Sequence, residues 1–153
     1  MKKFVLLLCV ISSISYAQQD VEDVLDSFHQ AAGEANFERY FSLLAKESVF
    51  LGTDATERWN KTAFKAFVKP YFDANKGWLY TPTERNVSII ETGKIAFFDE
   101  LLTNASYGLC RGSGVLIKRA GQWKILQYNL TIPIPNGVSQ RVVSIIGHNA
   151  EKK

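Results

Sequence analysis

The sequence predicts an α+β domain in which three amphipathic N-terminal helices cover one face of a bent antiparallel sheet. Two observations carry this. Apolar residues recur at helical spacing through the first half of the chain, and after Gly77 the period changes to two, in four strand-like runs joined by short turns.

From Val21 to about Glu34, Val21, Leu25, Phe28 and Ala32 form one stripe, widened by Val24 and Ala31. Asn36 is placed to N-cap a second, shorter helix whose face is Phe37, Tyr40, Phe41 and Leu44. Ser48 to Leu51 reads as a short buried strand. In the third helix Phe64, Phe67, Val68, Tyr71 and Phe72 follow the i, i+3, i+4, i+7, i+8 pattern. Asn60 is its N-cap, so Trp59 and Phe64 take the two positions of a hydrophobic staple, and Asn75-Lys76-Gly77 ends it.

The strand-like runs are Trp78 to Ile90, Ile95 to Thr103, Leu109 to Arg119 and Trp123 to Ile132. Their short connections predict an antiparallel meander. Within it, Gly112-Ser113-Gly114 has no following helix and marks a bend or bulge, not a phosphate loop. Pro133 and Pro135 interrupt the last strand, and Val138 to Ile146 is expected to add a peripheral strand or a swapped tail. Strand Ile95 to Thr103 is apolar on both faces: Ile95, Phe97 and Leu101 point one way, Ala96, Phe98 and Leu102 the other. Helices cover only one face, so a homodimer through the sheet is expected.

Residues 1–17 read as a signal peptide: Lys2-Lys3, an apolar core from Phe4 to Ile14, and Ser15-Tyr16-Ala17 with small residues at the cleavage positions. The expected product is exported, periplasmic or extracellular, with a domain over 18–147 and a flexible tail over 148–153. Once the leader is gone no stretch is long enough to span a bilayer. Removing Lys2 and Lys3 from 18 basic residues leaves 16 against 15 acidic ones, and no basic block points to nucleic acid. Cys110 is then the sole cysteine, which excludes an internal disulfide.

The helix-one stripe, Ala35-Asn36-Phe37-Glu38, Glu47-Ser48-Val49-Phe50 and Gly121-Gln122-Trp123-Lys124-Ile125 stand in an order and spacing that resemble the nuclear transport factor 2-like superfamily. The likeness is greatest to its SnoaL-like branch and covers roughly Val21 to Ile132. It implies a cone-shaped, cystatin-like domain with a cavity between the helices and the concave sheet face. The superfamily holds ketosteroid isomerases, polyketide cyclases, dehydratases, transport factors and assembly domains, so the fold does not choose among them. The isomerase's base aspartate falls near Gly52, its tyrosine near Phe28 and its second aspartate on Val115-Leu116. None matches, and that mechanism is not carried over.

The polar connection Gly52 to Trp59 is the first place to look for a site. Asp54 is either a displaced base or ligand contact, or the head of an Asx-turn. Arg58 either clamps an anionic ligand group or pairs with Asp54 or Glu57. Trp59 is a staple residue and a candidate ligand platform. His29 flanks the helix-one stripe, either as a packing residue or as a group looking into the cavity. Of the adjacent acids Asp99 and Glu100, one must face inward, as an acid or in a salt bridge to Arg85 or Arg111; Asp99 is carried as a catalytic candidate. Tyr128 or Asn129 should present a hydrogen-bonding group, and Tyr71, Trp78 and Tyr80 can line the same space. Two histidines and one mature cysteine make a metal site improbable, and no cofactor is expected. The leading expectation is a cavity for a small, partly apolar organic ligand, with cofactor-free isomerase, cyclase or dehydratase chemistry if the ligand is transformed. The alternative is a non-catalytic dimeric assembly or protein-interaction domain.

Overall fold

Helix α1 (Lys2–Gly33) turns Val21, Leu25, Phe28, Ala31 and Ala32 into the core, the stripe that the spacing predicts. The computed structural model describes the backbone of residues 2–90 and 92–150 and the side chains of residues 18–90 and 92–148. The side chains of the predicted leader, Cys9 included, lie outside them. Among the described residues no helix is long and apolar enough to cross a membrane.

Asn36 caps α2 (Phe37–Ser42) by accepting a hydrogen bond from the Arg39 amide at 3.1 Å. The helix stops before Leu44, which begins β1 (Leu44–Leu51), a strand longer than the four residues expected. A turn then leads to β2 (Arg58–Asn60), a strand not expected from the sequence, which pairs antiparallel with β1. Three residues carry too little periodicity to show.

Helix α3 (Lys61–Asp73) starts on Asn60, whose side chain accepts from the Ala63 amide at 2.9 Å. Trp59 and Phe64 meet in a stacked contact 5.7 Å apart, the expected staple. At the other end Asn75 adopts φ +55°, with the Lys76 amide bonded to the Tyr71 carbonyl and the Asn75 amide to Phe72. This is a Schellman motif.

Strands β3 (Thr81–Ile89), β4 (Ile95–Asn104), β5 (Gly108–Arg119) and β6 (Gln122–Thr131) form the predicted meander. The six-stranded sheet has the order β2-β1-β6-β5-β4-β3. It departs from the antiparallel expectation at one seam, because β1 lies parallel to β6. The chain crosses from β1 through α3 to β3, so β1 enters the sheet on the far side of the meander. Ala96, Phe98, Glu100 and Leu102 of β4 face inward, whereas Phe97 on the outer face is 52% exposed.

Val138 to Ile146 is not a strand. A 3₁₀ turn (Asn136–Val138) leads into α4 (Ser139–Ala150), which runs across the boundary expected after residue 147. Val138, Val142, Ile145 and Ile146 stand at i, i+4, i+7 and i+8, a helical period, and the prolines before them had already ended the sheet.

Replacing Asn60 by Ala removes the α3 cap and should lower stability by about 1 kcal/mol in urea denaturation; an unchanged midpoint would mean that the cap is redundant with the staple.

Candidate functional site

The helices and the concave face of the sheet enclose a cavity of about 290 Å³. Most of its wall is aromatic. Phe50 of β1 lies stacked between Phe64 of α3, 4.1 Å away, and Tyr128 of β6, 5.5 Å away. Phe28 of α1 stacks on Tyr40 of α2 at 4.4 Å. Exposed Thr53, Tyr71 and Tyr107 mark the mouth, and the deeply buried His29 and Tyr128 mark the inner end.

Behind that inner end sits Glu100, 1% exposed. One oxygen, Oε1, accepts two hydrogen bonds: from His29 Nε2 at 2.7 Å and from the Tyr128 hydroxyl at 2.8 Å. The other, Oε2, accepts from Arg85 Nε at 2.8 Å. Arg85 in turn reaches Asp26 of α1 at 2.7 Å. Three elements, α1, β3 and β6, thus converge on the one carboxylate of β4. Register explains the core of it, since Arg85 on β3 stands directly across from Glu100 on β4. Room for it comes from β5, where Gly112 pairs with Glu100. A Cβ on Gly112 would overlap the Tyr128 hydroxyl and crowd Glu100 Oε1, so glycine is needed there for close approach.

Burial alone would push the Glu100 carboxyl up, but the hydrogen bond and charge of His29, followed by those of Arg85, outweigh it and hold the group below its ordinary value. It is therefore ionised and can only accept. Nε2 of His29 therefore carries a proton in either charge state of the ring, and in the neutral ring the lone pair is on Nδ1. Among the described residues Nδ1 has no hydrogen-bond partner, and the imidazole lines the cavity. Burial, and then the charge of Glu100, keeps the Tyr128 hydroxyl well above its ordinary value, so it stays a neutral donor committed to Glu100. Tyr80, also on the lining, is pushed up to about 12, mainly by burial.

The structure brings together His29, Trp59, Tyr71 and Tyr128 of the expected site residues. Trp59 serves as staple and cavity wall at once. Asp54 and Arg58 are exposed and outside the lining. Asp54 Oδ1 accepts from the Thr56 amide at 2.8 Å, an Asx-turn, and Arg58 sits on β2 with neighbouring Trp59 directed the other way. Asn129 alternates with the inward Tyr128 and is only half-buried. Of the two acids it is Glu100 that faces inward, while Asp99 is exposed. Glu100 shares its parity with Ala96, Phe98 and Leu102, a signal already present in the sequence. From the polar connection the lining takes Gly52, Thr53 and Glu57 instead. Cys110 is buried and its thiol is raised by that burial, which leaves it unreactive. Among the described residues no cluster of three or more His, Cys, Asp or Glu side chains is arranged to hold a metal.

A carboxyl whose folded value lies below its unfolded one stabilises the fold fully above the unfolded value, about 4.3, and loses that contribution as pH falls through the folded value. Stability should therefore decline as the pH drops below about 4. Glu100→Gln should flatten this acid limb and cost about 3 kcal/mol at neutral pH, because it leaves buried Arg85 poorly paired. Urea denaturation across pH measures both; an acid limb of unchanged steepness in the variant would contradict the assignment.

Residues 21–135 match the SnoaL-like domain. No curated protein matches the chain. Among solved structures, the chain is similar to an NTF2-like protein of unknown function from Pseudomonas putida KT2440, with 14% identity over 80% of this chain and 90% of that one, TM-score 0.67. It is similar to a protein provisionally called a scytalone dehydratase from Novosphingobium aromaticivorans, at 10% identity over 81% and 89%, TM-score 0.69. A third likeness is to a protein provisionally called a ketosteroid isomerase from Shewanella frigidimarina, at 20% identity over 74% and 96%, TM-score 0.60. At such identities the structures share the cystatin-like, NTF2-like fold. By the match over most of its length, the chain belongs to the SnoaL-like family.

Proposed function

We propose that the protein binds a small, largely apolar organic molecule in the cone and moves a proton on it through His29, without a cofactor, in chemistry of the isomerase, cyclase or dehydratase type. One observation carries the reading: a cavity walled by aromatics ends on an imidazole whose far nitrogen is bound to a buried carboxylate. An imidazole so held has a fixed ring orientation and a fixed tautomer. Nδ1 takes a proton from an acidic C–H, or returns one to a departing hydroxyl, and Glu100 stabilises the imidazolium formed in between. Tyr80, kept protonated by burial, supplies a neutral donor to the same cavity, where an enolate or alkoxide oxygen would develop. The alternative of a non-catalytic assembly domain is favoured by a cone filled with its own side chains, and the open volume of about 290 Å³ counts against it.

The general test needs no knowledge of the natural substrate. Bicyclic aryl ketones such as tetralone, incubated with the protein in heavy water, should exchange their α-protons faster than in buffer, as followed by proton NMR. His29→Asn should lower the exchange rate by about 10²-fold or more while ketone binding persists. Exchange that is equally fast in His29→Asn, or absent across the ketones, would remove the proton-transfer role.

A further inference from the structure

The charge of the cavity wall is one-sided. Among the described residues its lining includes no lysine or arginine, yet it includes the Glu57 carboxylate, and the ionised Glu100 stands just behind His29 and Tyr128. Arg85, which balances part of that charge, is not on the lining and reaches back to Asp26. Arg58, the cation nearest in sequence, is exposed on the other side of β2.

Glu57 is held in place at the mouth. The Gly52 amide bonds to the Glu57 carbonyl at 2.9 Å, and the Asp54 amide donates to Glu57 Oε2 at 3.2 Å. The absence of a Cβ at Gly52 lets the carboxylate fold over that residue, since the first atom of any side chain there would collide with Oε2.

The same mouth carries a run of π surfaces. Trp59 stacks on Phe67 at 4.7 Å, and Phe67 meets Tyr71 at 5.5 Å. Ring faces carry negative electrostatic potential and attract cations, most strongly where water is partly excluded. An anionic group entering at the mouth would lose its hydration, meet no lysine or arginine and face the Glu57 carboxylate.

We propose that the ligand is an amine: a molecule with an apolar ring body that fills the aromatic cone and a protonated nitrogen that sits at the mouth between the Glu57 carboxylate and the rings of Trp59, Phe67 and Tyr71. This rests on the ligand-binding reading above and narrows it to a chemical class. Neutral analogues bind more weakly, and carboxylates of the same shape are rejected.

Three probes of one shape separate the terms: naphthylmethylammonium, naphthylmethanol and naphthoate, titrated calorimetrically at neutral pH into the full chain. The ammonium should bind about tenfold more tightly than the alcohol, with the carboxylate weakest. Glu57→Gln, which keeps a hydrogen-bond acceptor for the Asp54 amide, should shrink the ammonium-to-alcohol ratio at least about threefold. Naphthoate binding as tightly as the ammonium, or a ratio unchanged in Glu57→Gln, would overturn the amine assignment while leaving ligand binding intact. Binding of none of the three would remove both readings.

Discussion

Everything at the inner end of this cone depends on one buried carboxylate. Glu100 has given up nearly all contact with water, a loss of several kcal/mol that only close charged and hydrogen-bonding partners can offset. Those partners come from different parts of the chain: Arg85 from β3, His29 from α1 and Tyr128 from β6. The carboxylate therefore fixes how the first helix sits on the sheet as well as which way the imidazole faces. Gly112 belongs to the same arrangement, since a side chain on β5 would occupy the space in which the tyrosine hydroxyl and the carboxylate meet.

Around this polar point the cone is built from rings. Aromatic side chains leave gaps between flat faces that flexible aliphatic chains would fill, and the stacked series Trp59, Phe64, Phe50 and Tyr128 runs from the mouth to the inner end. The lining is mostly aromatic, with the Glu57 carboxylate near the mouth and the His29 imidazole at the inner end. The inner end presents a base that is oriented by an anion. The outer end presents a carboxylate on a tight turn. In the proposed function those two positions divide the chemistry from the recognition.

Much of the fold was legible because its determinants are local. The α3 cap, staple and terminator all lie within a few residues of Asn60 or Asn75, so sequence spacing specified them. The parallel seam between β1 and β6 was not legible, because Leu44 and Ile125 come together from distant parts of the chain and no local pattern names a partner. The site shows the same division. Period-two alternation was enough to put Glu100 on the inner face of β4, but choosing Arg85 over Arg111 as its partner required the strand register, which shifts between Pro82 and Glu84. Asp54 and Arg58 are charged residues that point outward, Asp54 in its Asx-turn and Arg58 on the outer side of β2; Glu57, between them, is folded back over Gly52. Side-chain direction in a turn depends on backbone torsions that composition does not reveal.

An ionised Glu100 fixes the neutral ring of His29 as an Nε2–H donor with its lone pair on Nδ1. Long-range ¹H–¹⁵N NMR of the imidazole reads this directly. At a pH where the ring is neutral, His29 should show a protonated Nε2 and a pyridine-type Nδ1, and Glu100→Gln should relax that tautomer preference. A neutral His29 with its proton on Nδ1 would contradict the account.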